Sequence, residues 1–326
     1  MGADAGSVGS GRAGIAPSRS RNAVALACVR LRRVDGVVQL MGSEYWLKSR
    51  VPIATLEDMT IKQAVDAGYA GWRLPQRDLS WRMDRQRRGY QRATACCTMS
   101  NWAARSIRDD YGIDPAKLKV VGIGPNHPTR PVPRRWDVPK FLFVGKDWER
   151  KNGALVVNAF RELREHVPSA RLDVVGDHPQ IDVPGVVTHG LLDISVPGDQ
   201  VRLTALFNQA TCFVLPSRHE PLGIVYVEAA AAGVPSIGTS VGGSREVIGA
   251  GGRIVDPKNP REIVAAMREL AEPSVALEIG GRALKHSRLY TWRQVAERML
   301  LALGINPPGI ELEAEFLNDS TLVGDH

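Results

Sequence analysis

The 326-residue chain alternates short apolar runs with stretches of helical periodicity. The runs are rich in β-branched residues and bounded by turn residues, which predicts buried strands, while apolar residues spaced three and four apart predict helices between them. Strand–helix alternation of this kind is typical of a parallel sheet covered by helices. In the first half of the chain, strands are predicted at residues 37–41, 51–55, 93–98 and 119–123.

A proline-rich segment at residues 125–139 interrupts this alternation. Proline lacks an N–H and fixes φ, so the segment cannot continue a helix or a central strand and is predicted to link two domains. Beyond it, strands are predicted at residues 140–145, 171–176, 186–190, 212–216 and 235–238. Helices are predicted near residues 152–167, 199–210, 222–233 and 260–271, and from residue 274 onward, where Thr291 is a suitable N-cap for the last helix.

The predicted fold class is therefore α/β, with two Rossmann-like, doubly wound parallel-sheet domains facing a cleft. A length of 326 residues suits two domains that each bury a core. The predicted order is a disordered leader (1–21), a first domain (22–138), a second domain (139–290), a closing helix (291–305) and an acidic tail (306–326).

The net charge of +7 is unevenly distributed. Lys and Arg number 23 against 12 Asp and Glu through Asp137, but 19 against 23 after it. A basic first half favours an anionic partner such as an acidic lipid surface, a phosphorylated acceptor or nucleic acid. The densest stretch, residues 81–92, is predicted to be a solvent-exposed basic helix. Nucleic acid is disfavoured because no recognisable nucleic-acid motif accompanies the charge.

The apolar segments and the cysteines narrow the possible locations of the protein and the possible roles of its thiols. No apolar run approaches the about 18 residues that a membrane span requires, and the short run before Arg30 is interpreted as a helix rather than a signal peptide. We therefore predict a cytoplasmic protein, with peripheral contact to the inner face of the cell membrane. The four cysteines have no paired metal-ligand spacing and are predicted to be reduced structural thiols: Cys28, Cys96, Cys97 and Cys212.

The strongest chemical signal is the sequence Pro-Ser-Arg-His-Glu-Pro-Leu-Gly at residues 216–223, between a predicted strand and a predicted helix. In open α/β sheets, ligands bind at the carboxyl ends of strands, where a helix start also offers unpaired N–H groups. Gly223 would let the backbone approach a ligand without a Cβ in the way. The predicted ligand-binding residues here are Glu220, Pro221, Leu222, Gly223 and Ile224.

Glu220 and Glu228 form a pair with a defined separation. Eight residues span about 12 Å along an ideal helix, comparable to the distance from a sugar across a diphosphate to a ribose. The alternative is two solvated glutamates on a helix. Glu228 argues against this alternative because its neighbours are almost all apolar, and a buried unpaired carboxylate is costly.

Two further loops are predicted to contribute. After the strand that ends at Gly145, three cations precede a helix, and both the cations and the helix N-terminus attract phosphate; Lys146 and Lys151 are favoured over Arg150. Basic loops are commonly just solvated, so this assignment depends on the loop lying near Glu220. The turn at residues 240–246 offers backbone N–H groups from Gly242 and Gly243, although an ordinary strand-to-helix turn explains it equally well.

Together these motifs resemble the donor-binding domain of the GT4 glycosyltransferases, retaining enzymes of the GT-B fold, over residues 141–252. The paired glutamates, the Gly-Lys and Lys positions of the basic loop and the Gly-Gly turn match the family's motifs. Residues 99–126 and Thr291-Trp292 are similar to the end of its first domain and to its final helix. The resemblance implies that Glu220 holds a donor-sugar hydroxyl, Glu228 the ribose, and Lys146 and Lys151 the diphosphate, which makes Glu220, Lys146 and Lys151 the predicted catalytic residues.

The family's first, acceptor-side domain begins with strands that carry a Gly-rich loop, whereas this chain starts at the helix predicted over residues 22–33, so the resemblance implies that the first domain is incomplete. Two positions also differ from the family pattern. Lys146 stands where the family usually has arginine, so bidentate phosphate recognition is lost while the charge remains. Where the family often has a histidine after the second predicted strand, this chain has Glu57 followed by Asp58.

The resemblance implies a retaining glycosyltransferase that moves a sugar from a UDP-, GDP- or ADP-sugar to a hydroxyl of a glycan or lipid-linked acceptor. No cofactor is expected, and no metal, because cations replace it and no Asp-x-Asp cluster is present. One alternative is a catalytically inactive sugar-nucleotide-binding protein. A dehydrogenase is disfavoured, because the segment starting at Gly122 lacks the third glycine of a dinucleotide-binding fingerprint.

Overall fold

The computed structural model describes residues 34–41, 50–127 and 129–306. The predicted leader, the predicted helix at residues 22–33 and the tail beyond residue 306 lie outside these ranges. The described residues form two fully parallel sheets with helical connections, which confirms the predicted α/β class. None of the helices in these ranges is long and apolar enough to cross a membrane.

The first sheet has the strand order β1-β2-β3-β4. Its strands are β1 (Val37–Leu40), β2 (Ile53–Glu57), β3 (Ala95–Thr98) and β4 (Leu118–Val120). The helices between them are α1 (Ile61–Asp66), α2 (Gln76–Arg92) and α3 (Asn101–Asp109), with 3₁₀ turns at Ala70–Trp72 and Pro115–Lys117. Thr60 and Ser100 cap the starts of α1 and α3 with their hydroxyls, as expected of hydroxyl side chains at an N-cap.

The second sheet has the order β10-β9-β8-β5-β6-β7. Its strands are β5 (Lys140–Val144), β6 (Arg171–Val175), β7 (Val186–Thr188), β8 (Cys212–Val214), β9 (Ser236–Thr239) and β10 (Gly252–Val255). The chain builds outward from β5 to β7 and then returns to the other side of β5, so the order reverses between β5 and β8. Ligand crevices form at such a switch point. The loops that leave it are the basic loop (residues 145–152) and the glutamate loop (residues 215–223).

Seven helices are described after the linker: α4 (Gly153–His166), α5 (Pro197–Gln209), α6 (Ile224–Ala231), α7 (Ser244–Ile248), α8 (Pro260–Ala271), α9 (Pro273–Ser287) and α10 (Trp292–Ala302). The predicted helices are confirmed to within a few residues. Thr291 caps α10 as predicted, since its hydroxyl accepts a hydrogen bond from the N–H of Gln294. The described part of the proline-rich segment contains neither helix nor strand.

The closing helix joins the two domains. The indole N–H of Trp292 donates to the carbonyl of Pro125 at 2.9 Å, and the guanidinium of Arg298 donates to the carbonyl of Val121 at 2.9 Å. Both acceptors lie where the chain leaves the first sheet. The closing helix therefore contacts the end of the first domain through two backbone carbonyls.

The described cysteines are buried and free of disulfides. Cys96 and Cys97 lie within β3, and Cys212 begins β8. Burial raises the pKa of both Cys96 and Cys97 to about 12. The thiols are thus protonated and unreactive near neutral pH, in keeping with the structural role predicted for them.

Candidate active site

The basic loop and the glutamate loop are hydrogen-bonded to each other at the switch point. The N–H of Arg218 donates to the carbonyl of Arg150 at 2.8 Å, and the guanidinium of Arg150 donates back to the carbonyl of His219 at 3.2 Å. The side-chain amide of Asn152 donates to the carbonyl of Pro216 at 3.1 Å. The structure therefore brings together the two loops that the sequence placed at the ends of separate strands.

Glu220 and Lys151 form a buried ion pair within these loops. The side chain of Glu220 is 7% exposed and that of Lys151 is 12% exposed. The same carboxylate accepts a hydrogen bond from the Ser217 hydroxyl at 3.0 Å and lies 3.6 Å from a guanidinium nitrogen of Arg150. Burial lowers the pKa of Lys151, and the neighbouring Glu220 carboxylate opposes this effect. The site is thus a small, water-poor cluster of fixed charges.

The start of α6 lies directly after Glu220 in the chain. Within the part of the chain that the structure describes, the N–H groups of Leu222, Gly223 and Ile224 have no hydrogen-bond partner. Gly223 has φ of +83°, and a Cβ there would overlap the ring of Tyr226, so the position requires glycine. This backbone turn presents three donors beside the Glu220 carboxylate, which suits an anionic ligand.

The Gly-Gly turn at residues 240–246 is hydrogen-bonded to the glutamate loop. The N–H of Glu220 donates to the carbonyl of Val241 at 3.0 Å, and the N–H of Gly243 donates to the carbonyls of Glu220 at 3.1 Å and Pro221 at 3.0 Å. Gly242 has φ of +109° and pairs with Glu220 as an isolated parallel bridge. The N–H of Gly243 is thus already engaged in holding this loop. Donor binding by Gly242 and Gly243 stays a prediction.

Glu228 lies on α6, 6% exposed, against the linker between the domains. Its carboxylate accepts a hydrogen bond from the N–H of His127 at 3.0 Å, and its backbone carbonyl accepts one from the Thr129 hydroxyl at 2.6 Å. Burial raises the pKa of Glu228 to about 7, opposed by hydrogen bonds from the N–H groups of His127 and Asn126. The sequence indicated that this carboxylate needs a partner, and the linker backbone supplies one. Its predicted contact with a ribose remains a prediction.

The pKa of Glu228 gives the first testable prediction. Its carboxyl titrates near pH 4.5 when unperturbed and near pH 7 when folded, so the folded state holds an extra proton between these values. The contribution of Glu228 to the free energy of unfolding is greatest below about pH 4.5 and is lost as the pH rises through about 7. This loss is on the order of 3 kcal/mol. We expect Glu228→Gln to remove this loss. Urea unfolding at pH 5, 6, 7 and 8 measures it, and identical pH slopes in variant and wild type would contradict it.

Lys146 occupies the rim of the basic loop. Its side chain is exposed, whereas Gly145 beside it is buried and donates its N–H to the carbonyl of Val175 at 2.9 Å. Hydrogen bonds from Ser195 lower the pKa of Asp193, and the charge of Lys146 adds to this effect. Lys146 is therefore an exposed residue of the basic loop and lies outside the buried cluster around Glu220.

Sequence reasoning missed two aromatic side chains near Glu220, namely Tyr69 of the first domain and His219 of the glutamate loop. The ring of Tyr69, from the first domain, packs edge-on against His219 at 4.6 Å between centroids, and the guanidinium of Arg150 lies 5.7 Å from the Tyr69 ring. Burial raises the pKa of Tyr69 to about 12; the Arg150 cation opposes this, while Glu220 and Asp58 add to it. The only sequence signal was the position of His219 next to Glu220.

The described residues contain no group of three or more His, Cys, Asp or Glu side chains that could hold a metal ion. The charged groups at the switch point are instead Lys151, Arg150 and Glu220. This donor set suits a ligand that carries both hydroxyls and negative charge, since carboxylates accept from hydroxyls while cations and N–H groups bind anions.

Comparison with known proteins shows which families this chain resembles. Residues 138–273 match the family described as Glycosyl transferases group 1. The chain is 27% identical over 314 residues to a D-inositol 3-phosphate glycosyltransferase of Kineococcus radiotolerans, covering 82% of this chain and 72% of that protein. It is 31% identical over 176 residues to a GDP-mannose-dependent alpha-(1-6)-phosphatidylinositol monomannoside mannosyltransferase of Mycolicibacterium smegmatis, covering 48% of this chain and 45% of that protein. The chain thus spans about half the length of several curated relatives that it matches.

Solved structures share the fold. Sucrose-phosphate synthase from Thermosynechococcus elongatus superposes with a TM-score of 0.67 at 20% identity, covering 86% of this chain and 76% of that chain. A lipopolysaccharide outer core galactosyltransferase superposes with a TM-score of 0.63 at 16% identity, covering 88% of this chain and 80% of that chain. The described residues therefore share their overall fold with these two proteins.

Proposed function

We propose that this chain, whose second domain matches the glycosyl transferases of group 1 and resembles the GT4-type enzymes of the GT-B fold, moves a sugar from a nucleotide-diphospho-sugar to an acceptor hydroxyl with retention of configuration. The observation that carries this proposal is the buried Lys151–Glu220 pair beside the unpaired N–H groups at the start of α6. One small site thereby offers a carboxylate for sugar hydroxyls and fixed positive potential for a diphosphate.

In the proposed reaction, the C1–O bond of the donor breaks through an oxocarbenium-like transition state while the acceptor hydroxyl attacks the same face. Negative charge grows on the leaving diphosphate as this bond breaks. Preorganised positive groups lower a barrier most where charge develops, so Lys151, Lys146 and the N–H groups at the start of α6 are assigned to the diphosphate. Arg150, with a guanidinium nitrogen 3.6 Å from the Glu220 carboxylate, adds positive charge beside these groups.

The carboxylates are assigned to hydroxyls of the donor. Glu220, held by Lys151 and Ser217, would accept from a hydroxyl of the transferred sugar, and Glu228 from the ribose. For Glu228, the ribose has to reach a carboxylate that the linker backbone already contacts. We propose a UDP-, GDP- or ADP-sugar as donor and no metal cofactor.

The relatives suggest the class of acceptor. Their names specify D-inositol 3-phosphate in one case and a phosphatidylinositol monomannoside in another, a small polyol phosphate and a lipid-linked glycan. We propose a hydroxyl of a glycan, polyol or lipid-linked sugar as acceptor for this chain, acting in the cytoplasm at the inner face of the membrane.

A two-stage experiment tests the function. Ligand binding to the folded state raises the melting temperature, so a thermal-shift panel of UDP-, GDP- and ADP-sugars identifies the donor. Release of the nucleoside diphosphate, with and without acceptors, then measures turnover. Binding without turnover would favour the inactive sugar-nucleotide-binding alternative, and no binding of any nucleotide would refute both.

Contact with an anionic membrane is proposed for α2. Arg77, Trp81, Arg85 and Arg88 lie on one face of this helix by the 3.6-residue repeat, and Trp81 is 43% exposed with the Arg85 guanidinium 4.8 Å from its ring. A basic helical face with an exposed indole suits the surface of an acidic bilayer.

We expect the double variant Arg77→Ala, Arg88→Ala to bind acidic vesicles about 30-fold more weakly, since each cation near the surface contributes about 1 kcal/mol. Sedimentation with vesicles of phosphatidylcholine alone or with 30% phosphatidylglycerol, at low salt, measures this. Arg161→Ala, an exposed position on α4, is the control. Equal binding of the wild type to both vesicle types would overturn the proposal.

A further inference from the structure

A cavity of about 360 Å³ lies at the amino end of β5, between the linker and the last residues of α5. Lys140, the first residue of β5, lines this cavity, whereas the basic loop begins at Gly145, beyond the carboxyl end of the same strand. A strand rises about 3.3 Å per residue, so β5 separates the two places by roughly 16 Å. The cavity is therefore a different space from the candidate active site at the switch point.

The lining of the cavity is positively charged. Among the described residues that line it, Arg134, Arg135 and Lys140 are cations and none is a carboxylate. The guanidinium of Arg134 is held in place, because it donates to the carbonyl of Ala210 at 2.6 Å and to the carbonyl of Ala232. Burial lowers the pKa of Arg134 to about 10, which leaves the side chain charged near neutral pH. A fixed positive charge is thus present in the wall before any ligand arrives.

The other two cations have donors to offer to a ligand. Arg135 pairs with Asp137, which is not among the lining residues, and the two side chains are 79% and 61% exposed. An exposed ion pair of this kind contributes at most about 1 kcal/mol, so Arg135 turns toward an anion at little cost. The ammonium of Lys140 donates to the side chain of Gln209 at 3.2 Å, and an ammonium has three N–H donors. The cavity can therefore surround an anion with N–H groups from three side chains.

Asn208 adds a polar group that has no partner within the described part of the chain. This residue lies next to the end of α5 and lines the cavity, and its buried Oδ1 accepts no hydrogen bond. Buried polar atoms without a partner are rare in folded proteins, and a bound molecule is one explanation for them. Rotation of the amide about its last bond exchanges Oδ1 and Nδ2, so Asn208 can accept from a hydroxyl or donate to an oxygen in the cavity.

The size and chemistry of the cavity together define a class of ligand. A volume of 360 Å³ lies at the lower end of the about 300–1,000 Å³ of small-molecule sites, which favours a single ring over a nucleotide sugar or a glycan. The three cations suit a phosphate group, since charge-assisted hydrogen bonds to phosphate are strong. The amides of Asn208 and Gln209 suit the hydroxyls of a ring.

We propose that this cavity is a second ligand site, which binds a phosphorylated monosaccharide or polyol with Arg134, Arg135 and Lys140 on the phosphate and Asn208 on a ring hydroxyl. The site is independent of the proposed transferase reaction, because none of these residues belongs to the basic loop or the glutamate loop. Binding there and binding of a nucleotide sugar at the switch point are therefore separate events.

Isothermal titration calorimetry of the full chain with D-glucose 6-phosphate and myo-inositol 1-phosphate tests the proposal. We expect the double variant Arg135→Ala, Lys140→Ala to weaken binding about 100-fold, through loss of charge-assisted hydrogen bonds to the phosphate. Asn208→Asp keeps the shape of the side chain but places a carboxylate beside the phosphate, so it should weaken binding at least about 10-fold. Saturating UDP or GDP should leave the affinity of the phosphorylated rings unchanged.

The control is the double variant Arg282→Ala, Lys285→Ala, which removes an arginine with an exposed ion pair and an exposed lysine from α9. Its affinity should stay within about twofold of the wild type. Binding that the cavity variants leave unchanged, or that UDP or GDP displaces, would place the ligand elsewhere and overturn the site. Inorganic phosphate that binds as tightly as the phosphorylated rings would overturn the proposed ligand class, and so would equally tight binding of D-glucose or myo-inositol. Absence of binding of both phosphorylated rings at millimolar concentration would refute the proposal.

Discussion

Lys151→Ala is expected to lower kcat on the order of 10²–10³-fold while changing the donor KM much less. The physical reason is that the leaving diphosphate carries more charge in the transition state than in the bound donor, so a fixed cation stabilises the transition state selectively. The ammonium of Lys151 is well placed for this, because it is buried and held by Glu220 before any ligand arrives. Steady-state kinetics with saturating acceptor measures the effect.

The same substitution also affects folding, and the two effects have to be separated. Removing one partner of a buried ion pair leaves the other uncompensated, which costs about 3–5 kcal/mol. Arg150, 3.6 Å from Glu220, should reduce this cost toward the lower value. The double variant Lys151→Met, Glu220→Gln removes both charges, so we expect it to recover stability without recovering turnover.

Lys285→Ala, at an exposed position on α9, is the control and should change stability by less than about 0.5 kcal/mol. Should Lys151→Ala fold normally and keep a kcat within twofold of the wild type, the basic loop is not the diphosphate site. A double variant as unstable as the single variant would instead show that the ion pair was not the source of the instability.

The sequence predicted the parts of this site that depend on topology. Both loops follow apolar runs that are predicted to be buried parallel strands. The carboxyl ends of such strands share one edge of a sheet. Lys151 and Glu220 therefore had to lie in one region, although 69 residues separate them. The strand β10 was not predicted, because the segment Gly252–Val255 has only two apolar side chains and gains its strand pairing from β9.

Contacts between the domains could not be predicted, because no local pattern encodes them. Glu228 was recognised as a carboxylate in apolar surroundings, but nothing in the sequence pointed to the N–H of His127, 101 residues away, as its partner. Tyr69 likewise has no motif around it and reaches the site only through the packing of one domain on the other. Sequence periodicity fixes which face of an element is buried, whereas the partner across an interface depends on the complete fold.

Glu246 illustrates such an interface and leads to the last prediction. From α7 of the second domain, its carboxylate accepts hydrogen bonds from the N–H groups of Asn101 at 2.7 Å and Trp102 at 2.9 Å, and from the Asn101 side chain at 3.0 Å. These are the first two N–H groups of α3, and the Ser100 hydroxyl takes the next one, from Ala103. A residue of the second domain thus completes the cap of a helix in the first.

This cap joins the interface to the donor site. The backbone carbonyl of Glu246 accepts hydrogen bonds from His286 and Tyr290, each at 2.8 Å, and the turn just before it holds the glutamate loop through Gly243. Movement of the domains apart would break the bonds to α3 and unpair N–H groups at the positive end of its dipole. Glu246 therefore links domain closure to the position of Glu220.

We expect Glu246→Ala to lower the free energy of unfolding by about 2 kcal/mol, as for loss of hydrogen bonds to a charged group, and to increase the radius of gyration. Turnover should fall as well, because the domains then spend less time in contact. Small-angle scattering and urea unfolding measure the first two effects. Glu269→Ala is the control: it removes a half-exposed ion pair with Arg253 on the second domain and should cost at most about 1 kcal/mol without changing the radius of gyration. An unchanged radius of gyration and turnover in Glu246→Ala would mean that this carboxylate only caps α3 and does not hold the domains together.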